Sequence, residues 1–197
     1  MGGSPMADRD LAHGIDALRR GEIVGLPTDT VYGIAADPFS RRAVQRLFEA
    51  KGRPSVRPIP ILAADLAGVR RVARLDGAAA AEAERRWPGG LTLVLPRAAG
   101  MPAWLGDPER DTVGVRIPDH PTALALLSAF GPLAVTSANR SGAEPAVDAA
   151  GARAALGDAV AAYLAGAAGG DTASTVVDLS GVEARVLRAG PVPWGAP

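Results

Sequence analysis

An α/β fold, a single mixed β-sheet with helices packed on it, is what this sequence predicts, and two observations predict it. Strand-like and helix-like segments alternate along most of the chain, as expected of a sheet covered by helices. The strand-like stretches "LTLVLP" (91–96) and "TVGVRIP" (112–118) follow one another with no helical segment between them. A parallel pair needs a long crossover, so this sheet is expected to be mixed. At 197 residues the chain can bury one sizeable core, and no linker divides it. Residues 1–7 are expected to be a flexible N-terminus or an added remnant, with Met6 a natural start, and residues 8–197 one domain.

The elements are read in order. Leu11, Ile15 and Leu18 recur at helical spacing, and Gly21 stops that helix. "EIVGLP" (22–27) reads as a buried strand running into the polar stretch "TDT". Ser40 caps a helix whose apolar face is Val44, Leu47 and Phe48, ended by Gly52. "PIPILAAD" (58–65) is a strand whose Pro58 and Pro60 confine its start to an edge or an irregular lead-in. Asp65 and Asp76 each open a helix, the second stopping near Pro88-Gly89-Gly90. Ala99 to Asp111, with Pro102, Gly106 and Pro108, is a loop placed to cover a site. Pro121 suits the first turn of a helix carrying Leu124, Leu127 and Phe130, with Gly131 as its stop. "PLAVTSA" (132–138) returns to strand, "VDAAGARAALG" (147–157) to helix, and "STVVDL" (174–179) and "ARVLRAG" (184–190) to strand.

Composition removes several kinds of chemistry. There is no cysteine, hence no disulfide, thiolate metal site or cysteine nucleophile. The two histidines, His13 and His120, are far apart, and His120 in "PDHPT" reads as structural, at a helix start. No apolar run is long enough to span a bilayer, and the N-terminus lacks the basic flank and apolar segment of a signal peptide, so a cytoplasmic address is expected. A formal net charge of zero provides no global field for nucleic acid or membrane, so any anion site must be local. Neither GxxxxGK[ST], GxGxxG nor GxSxG occurs, and no metal-ligand pattern is present.

The polar clusters that remain each have an ordinary reading beside a functional one. "LPTDTVYGIAADP" (26–38) sets small hydroxyls on a stiff turn after a strand, as a small polar ligand requires. "EAKGRPSVRPIPIL" (49–62) carries Lys51, Arg53 and Arg57, with prolines holding them extended. Alone it is as well read as a solvated basic loop, though three cations in a row also suit a triphosphate. "VTSANRSG" (135–142) leaves a strand in a run of turn residues, where ligands collect in open α/β sheets. Thr112 and Arg116 are four apart in a strand and share a face, with Val113 and Val115 turned to the core. "DTASTVVD" (171–178) repeats the hydroxyl-rich strand entry.

Taken in order, "PTDTVYG", "KGRP" with Pro58 following, "SANRSG" and "STVVD" resemble the YrdC-like family of threonylcarbamoyl-AMP synthases, from about Gly21 to Arg188. The resemblance implies a twisted α/β sheet, double-stranded-RNA-binding-domain-like in layout, with a concave basic face. It implies a nucleotidyltransferase that makes threonylcarbamoyl-AMP and pyrophosphate from L-threonine, bicarbonate or CO2, and ATP, with Mg2+ carried in by ATP and no resident metal. By resemblance, Thr30, Tyr32, Leu62, Arg116, Val135 and Ser174 form the threonine pocket. Lys51, Arg53, Arg57, Thr112, Ser137, Asn139 and Arg188 form the ATP site, Lys51 and Arg53 carrying the catalytic charge. A separate threonylcarbamoyl-transfer machinery acting on tRNA is the implied partner. Ala173 and Ala189 stand where relatives carry proline. An RNA-binding module of the same fold, or a carbamoyl-transfer relative, are the alternatives, to be separated by salt-dependent RNA binding or by carbamoyl phosphate turnover.

Overall fold

The computed structural model describes residues 5–52, 58–102 and 104–195. Six α-helices are present among them: α1 (Pro5–Arg19), α2 (Arg41–Lys51), α3 (Leu66–Arg70), α4 (Gly77–Arg86), α5 (Pro121–Phe130) and α6 (Ala149–Leu156). The strands are β1 (Val24–Leu26), β2 (Gly33–Ala36), β3 (Ile61–Leu62), β4 (Leu91–Pro96), β5 (Thr112–Arg116), β6 (Leu133–Ser137), β7 (Ala162–Tyr163), β8 (Thr175–Asp178) and β9 (Arg185–Arg188). They join one sheet in the order β7-β1-β2-β6-β3-β5-β4-β8-β9. The β1/β7, β3/β5 and β4/β8 pairs are parallel and the rest antiparallel, so the sheet is mixed, as its adjacent strands predict.

Local chemistry sets the helix ends. Ser40 Oγ accepts Ala43 N–H ahead of α2, and Gly52 closes that helix in the left-handed region at φ +60°, which costs a residue without Cβ nothing. Asp65 and Asp148 cap α3 and α6 through Gly68 N and Gly151 N. Asp76 precedes α4 without making a cap bond. His120 caps α5: its Nδ1 accepts Thr122 N–H, and Nε2 faces Ala167 O at 3.3 Å. The first helix begins at Pro5, so residues 5–7 form its first turn.

The two faces of the sheet are covered unequally, and this asymmetry positions the site. On one face Ile34, Ile61, Leu93, Leu95, Val115 and Val177 pack with Val44 and Leu47 of α2, Val69 of α3, Ala83 of α4 and Leu156 of α6. On the other, Leu18 of α1 and Leu126 and Leu127 of α5 cover Val24, Leu26, Ala35, Val135, Leu133 and Leu62. That second apolar cluster stops at β3. Leu62 pairs with Arg116, and alternation then sets Arg116, Gly114 and Thr112 of β5, with Thr92 of β4, on the part of this face beyond the two helices.

Candidate functional site

The "TDT" turn between β1 and β2 is fixed by its own hydroxyls. Thr28 Oγ1 donates to Val31 O at 2.7 Å and accepts Thr30 N–H at 3.2 Å. The Thr28 proton is thereby used, so the 3.0 Å contact between the two hydroxyls has Thr30 as donor. Arg116 Nη1 donates in turn to Thr30 Oγ1 at 2.8 Å. The chain of donation runs Arg116 to Thr30 to Thr28 to Val31 O. Towards a ligand, Thr30 can only accept.

Arg116 is 5% exposed and held on three sides. Nε donates to Gly89 O at 2.9 Å, Nη1 to Thr30, and Nη2 to Asp29 Oδ1, which also accepts Asp119 N–H at 3.0 Å. Three of its five N–H groups are engaged, leaving one on each terminal nitrogen. Burial pulls the guanidinium below its ordinary pKa, the Asp29 carboxylate pulls it back, and neighbouring Arg188 adds like-charge repulsion. Among the described residues Asp29 is the only carboxylate ion-paired with either of these arginines. A local excess of positive charge therefore lies on a chain of zero net charge.

Arg188 arrives from β9. The strand is exposed, but the guanidinium end turns back, Nε onto Ser174 O at 2.9 Å and Nη2 onto Ser174 Oγ at 3.1 Å, and desolvation there lowers its pKa. Ser174 Oγ also meets Thr92 Oγ1 at 2.7 Å. Residues 190–195 then strap this corner to α4. Val192 bonds Thr175 Oγ1 through both its N–H and its carbonyl, Arg86 Nη1 donates to Pro193 O, and the Arg86 guanidinium lies 4.9 Å from the Trp194 ring centre. Gly190 is required where the strap departs, since a Cβ would press on Thr175 N and come within 2.5 Å of Ala173 O.

Lys51, the only lysine in a chain of 21 lysines and arginines, ends α2 and is 4% exposed. Its Nζ lies 2.7 Å from Ser137 O, 3.0 Å from Asn139 O, 3.1 Å from Asn139 Oδ1 and 3.4 Å from Ser137 Oγ. Ser137 Oγ donates to Asn139 Oδ1 at 2.6 Å, and Asn139 Nδ2 donates to Ala143 O at 2.6 Å and Arg140 O at 3.0 Å. Lysine, serine and asparagine are thus brought together, and Gly33↔Ser137 pairing joins them to the start of β2.

The other expected positions divide by role. Leu62 pairs with Arg116 across β3 and β5, and Ala63 N donates to Arg116 O at 3.0 Å. Val135 lies on the same face two strands further on. Thr112 is buried four residues before Arg116, roughly 13 Å along the strand, and its backbone is clasped by Asp107. Tyr32 is fully buried in the core; its hydroxyl donates to Leu164 O at 2.7 Å, and burial pushes the phenol well above its ordinary pKa. Its backbone ties the turn to Ala138 and Ala146. Arg53 and Arg57 lie outside the described residues. Of the loop leading into β5, Met101 and Leu105 enter the core and Trp104 Nε1 reaches Pro38 O at 3.2 Å, while Asp107 holds the Thr112 backbone. Asp29, Gly89 and Thr92 were not singled out by sequence reasoning. Asp29 alone had a signal, an acid between two site threonines.

Comparison with known proteins bears on the family and the fold. The Sua5_yciO_yrdC family model, described as "Telomere recombination", matches residues 16–190. A Mycobacterium tuberculosis protein, provisionally named for threonylcarbamoyl-AMP synthase activity, is 45% identical over 186 residues, 93% of this chain and 85% of its own. The threonylcarbamoyl-AMP synthase of Halorhodospira halophila is 39% identical over 160 residues, 80% of this chain and 83% of its own. Among solved structures, P. abyssi Sua5 complexed with L-threonine aligns with a TM-score of 0.86 at 34% identity, over 95% of this chain but 55% of that longer one. E. coli YciO aligns with a TM-score of 0.85 at 25% identity, over 95% of this chain and 91% of its own.

Proposed function

The chain belongs to the Sua5/YciO/YrdC family, and from that premise we propose that it is a threonylcarbamoyl-AMP synthase. It converts L-threonine, bicarbonate or CO2, and ATP into threonylcarbamoyl-AMP and pyrophosphate. The observation that carries this reading is Arg116: a buried guanidinium, oriented by Asp29, Thr30 and Gly89, with an N–H left on each terminal nitrogen. That is the donor set for a small carboxylate. Ser174 and Arg188 complete the corner, and the backbone near Leu62, which pairs with Arg116, and near Val135 finishes it.

The nucleotide is assigned to the adjoining cationic stretch. Lys51 braces the 137–139 turn and adds charge beneath it, Ser137 and Asn139 line it, and Thr112 lies further along β5. Arg53 and Arg57, just beyond Lys51 in sequence, supply arginine forks for the triphosphate. The oxygen donors here are hydroxyls and amides, and no group of three His, Asp or Glu gathers among the described residues. Mg2+ would enter with the triphosphate, held chiefly by phosphate oxygens.

The threonine amine and CO2 form a carbamate, and a carbamate oxygen attacks the α-phosphorus as pyrophosphate leaves. The protein holds the two reactants in line and stabilises charge on the departing phosphates; no covalent protein intermediate is needed. Threonylcarbamoyl-AMP is a mixed anhydride, so the next step is transfer of its acyl group, here to tRNA by a separate machinery. No described helix is long and apolar enough to cross a membrane; a role in tRNA modification supports the cytoplasmic address proposed here. Pyrophosphate release with each of threonine, bicarbonate and ATP omitted in turn tests the assignment, which requires all three.

A further inference from the structure

We propose that Asp29 is a second recognition residue of the threonine pocket, docking the substrate amino group beside the Arg116 fork. The proposal rests on the threonine-site reading above and assigns to that site the contact that makes it select an amino acid over any other small carboxylate.

Asp29 Oδ1 is doubly used, by Arg116 Nη2 and by Asp119 N. Among the described residues Oδ2 makes no hydrogen bond, although the side chain is only 16% exposed. A carboxylate oxygen left without a donor on a largely buried side chain is costly, and a ligand N–H supplies what is missing. The next residue presents the same chemistry. Thr30 has given its proton to Thr28, so its remaining lone pair can only accept. Asp29 and Thr30 thus offer acceptors immediately beside the two remaining donors of Arg116. Acceptors next to donors on this scale match an ammonium next to a carboxylate, the two groups on the α-carbon of an amino acid. The turn is braced from behind: Gly169 N donates to Thr28 O at 2.8 Å, and a Cβ on Gly169 or Gly170 would crowd the Asp29 and Thr30 backbone at 3.1 Å.

The test compares L-threonine with 3-hydroxybutyrate, which keeps the carboxylate and the hydroxyl and lacks the amine. Affinities are measured for the wild type and for Asp29→Asn, by calorimetry for threonine and by competition for the analogue. The wild type should prefer threonine by tenfold or more. Asp29→Asn should lose about ten- to a hundredfold in threonine affinity and at least several-fold less for the analogue, whose loss reports only the orientation of Arg116. Equal loss for both ligands would reduce Asp29 to an orienter of Arg116 and overturn the proposal, as would unchanged threonine binding. If the variant does not fold, the wild type alone decides: equal affinity for the two ligands overturns the proposal. A wild type that binds neither ligand instead removes the threonine site itself, and this inference with it.

Discussion

A guanidinium as deeply buried as that of Arg116 persists only because each flank is satisfied: a carboxylate on one side, a hydroxyl and a carbonyl on the others. Removing it should therefore act on ligand binding selectively. Arg116→Lys keeps a charge but loses the fork, and should weaken threonine by about ten- to a hundredfold while leaving ATP affinity within a few-fold. Calorimetry with each ligand separately checks this; equal losses would break the assignment. Lys51 has a different role. Lys51→Met strands the Ser137 and Asn139 carbonyls and should cost about 1–3 kcal/mol in denaturant unfolding, together with a loss of ATP affinity. Asp178 sets an acid limit. Burial pushes its carboxyl up, but hydrogen bonds from Ser180 and Arg110 outweigh this and hold it at about 2, against an ordinary 3.8. A depressed carboxylate pKa stabilises the fold above the unfolded value and is lost as pH falls through the folded one. Unfolding midpoints should thus be insensitive to this group above about pH 5 and fall between pH 4 and 2, and Asp178→Asn should flatten that fall.

At the scale of elements, the strap after β9 has the clearest consequence. Gly190→Ala must displace either the strap or residues 173–175, and should destabilise by about 1–3 kcal/mol while loosening Ser174 and Arg188. Both are measurable, by denaturant midpoint and by threonine affinity. Most elements were legible because their signals are local: Ser40 and Gly52 bound α2, Pro121 opens α5, and alternation in "TVGVR" set Thr112 and Arg116 on one face. Two strands were not. Gly33–Ala36 is four small or aliphatic residues buried on both faces, with no alternation to read, and Ala162–Tyr163 is too short to carry a pattern. Ala162–Tyr163 exists through pairing with distant β1, and Gly33–Ala36 through neighbouring β1 on one side and distant β6 on the other. The site follows the same division. Motif order pointed to Thr30, Arg116, Ser174 and Arg188, but nothing local shows that Gly89 O and Thr92 Oγ1 complete their contacts.

For the whole molecule, the decisive feature is the unequal coverage of the sheet. α1 and α5 cover one part of a face, and beyond β3 the same face carries Arg116, Thr112 and Thr92. A chain of zero net charge can then hold anions locally without attracting them at large. In the proposed reaction this face joins three small substrates into one adenylate. The most direct measurement is mass spectrometry of the nucleotide formed from ATP, L-threonine and 13C-bicarbonate. The expected product is an adenylate carrying both the threonine mass and one 13C, formed in step with pyrophosphate, with no mass added to the protein. Pyrophosphate release without threonine, an adenylate lacking the labelled carbon, or a carbamoylated or adenylylated protein would contradict it.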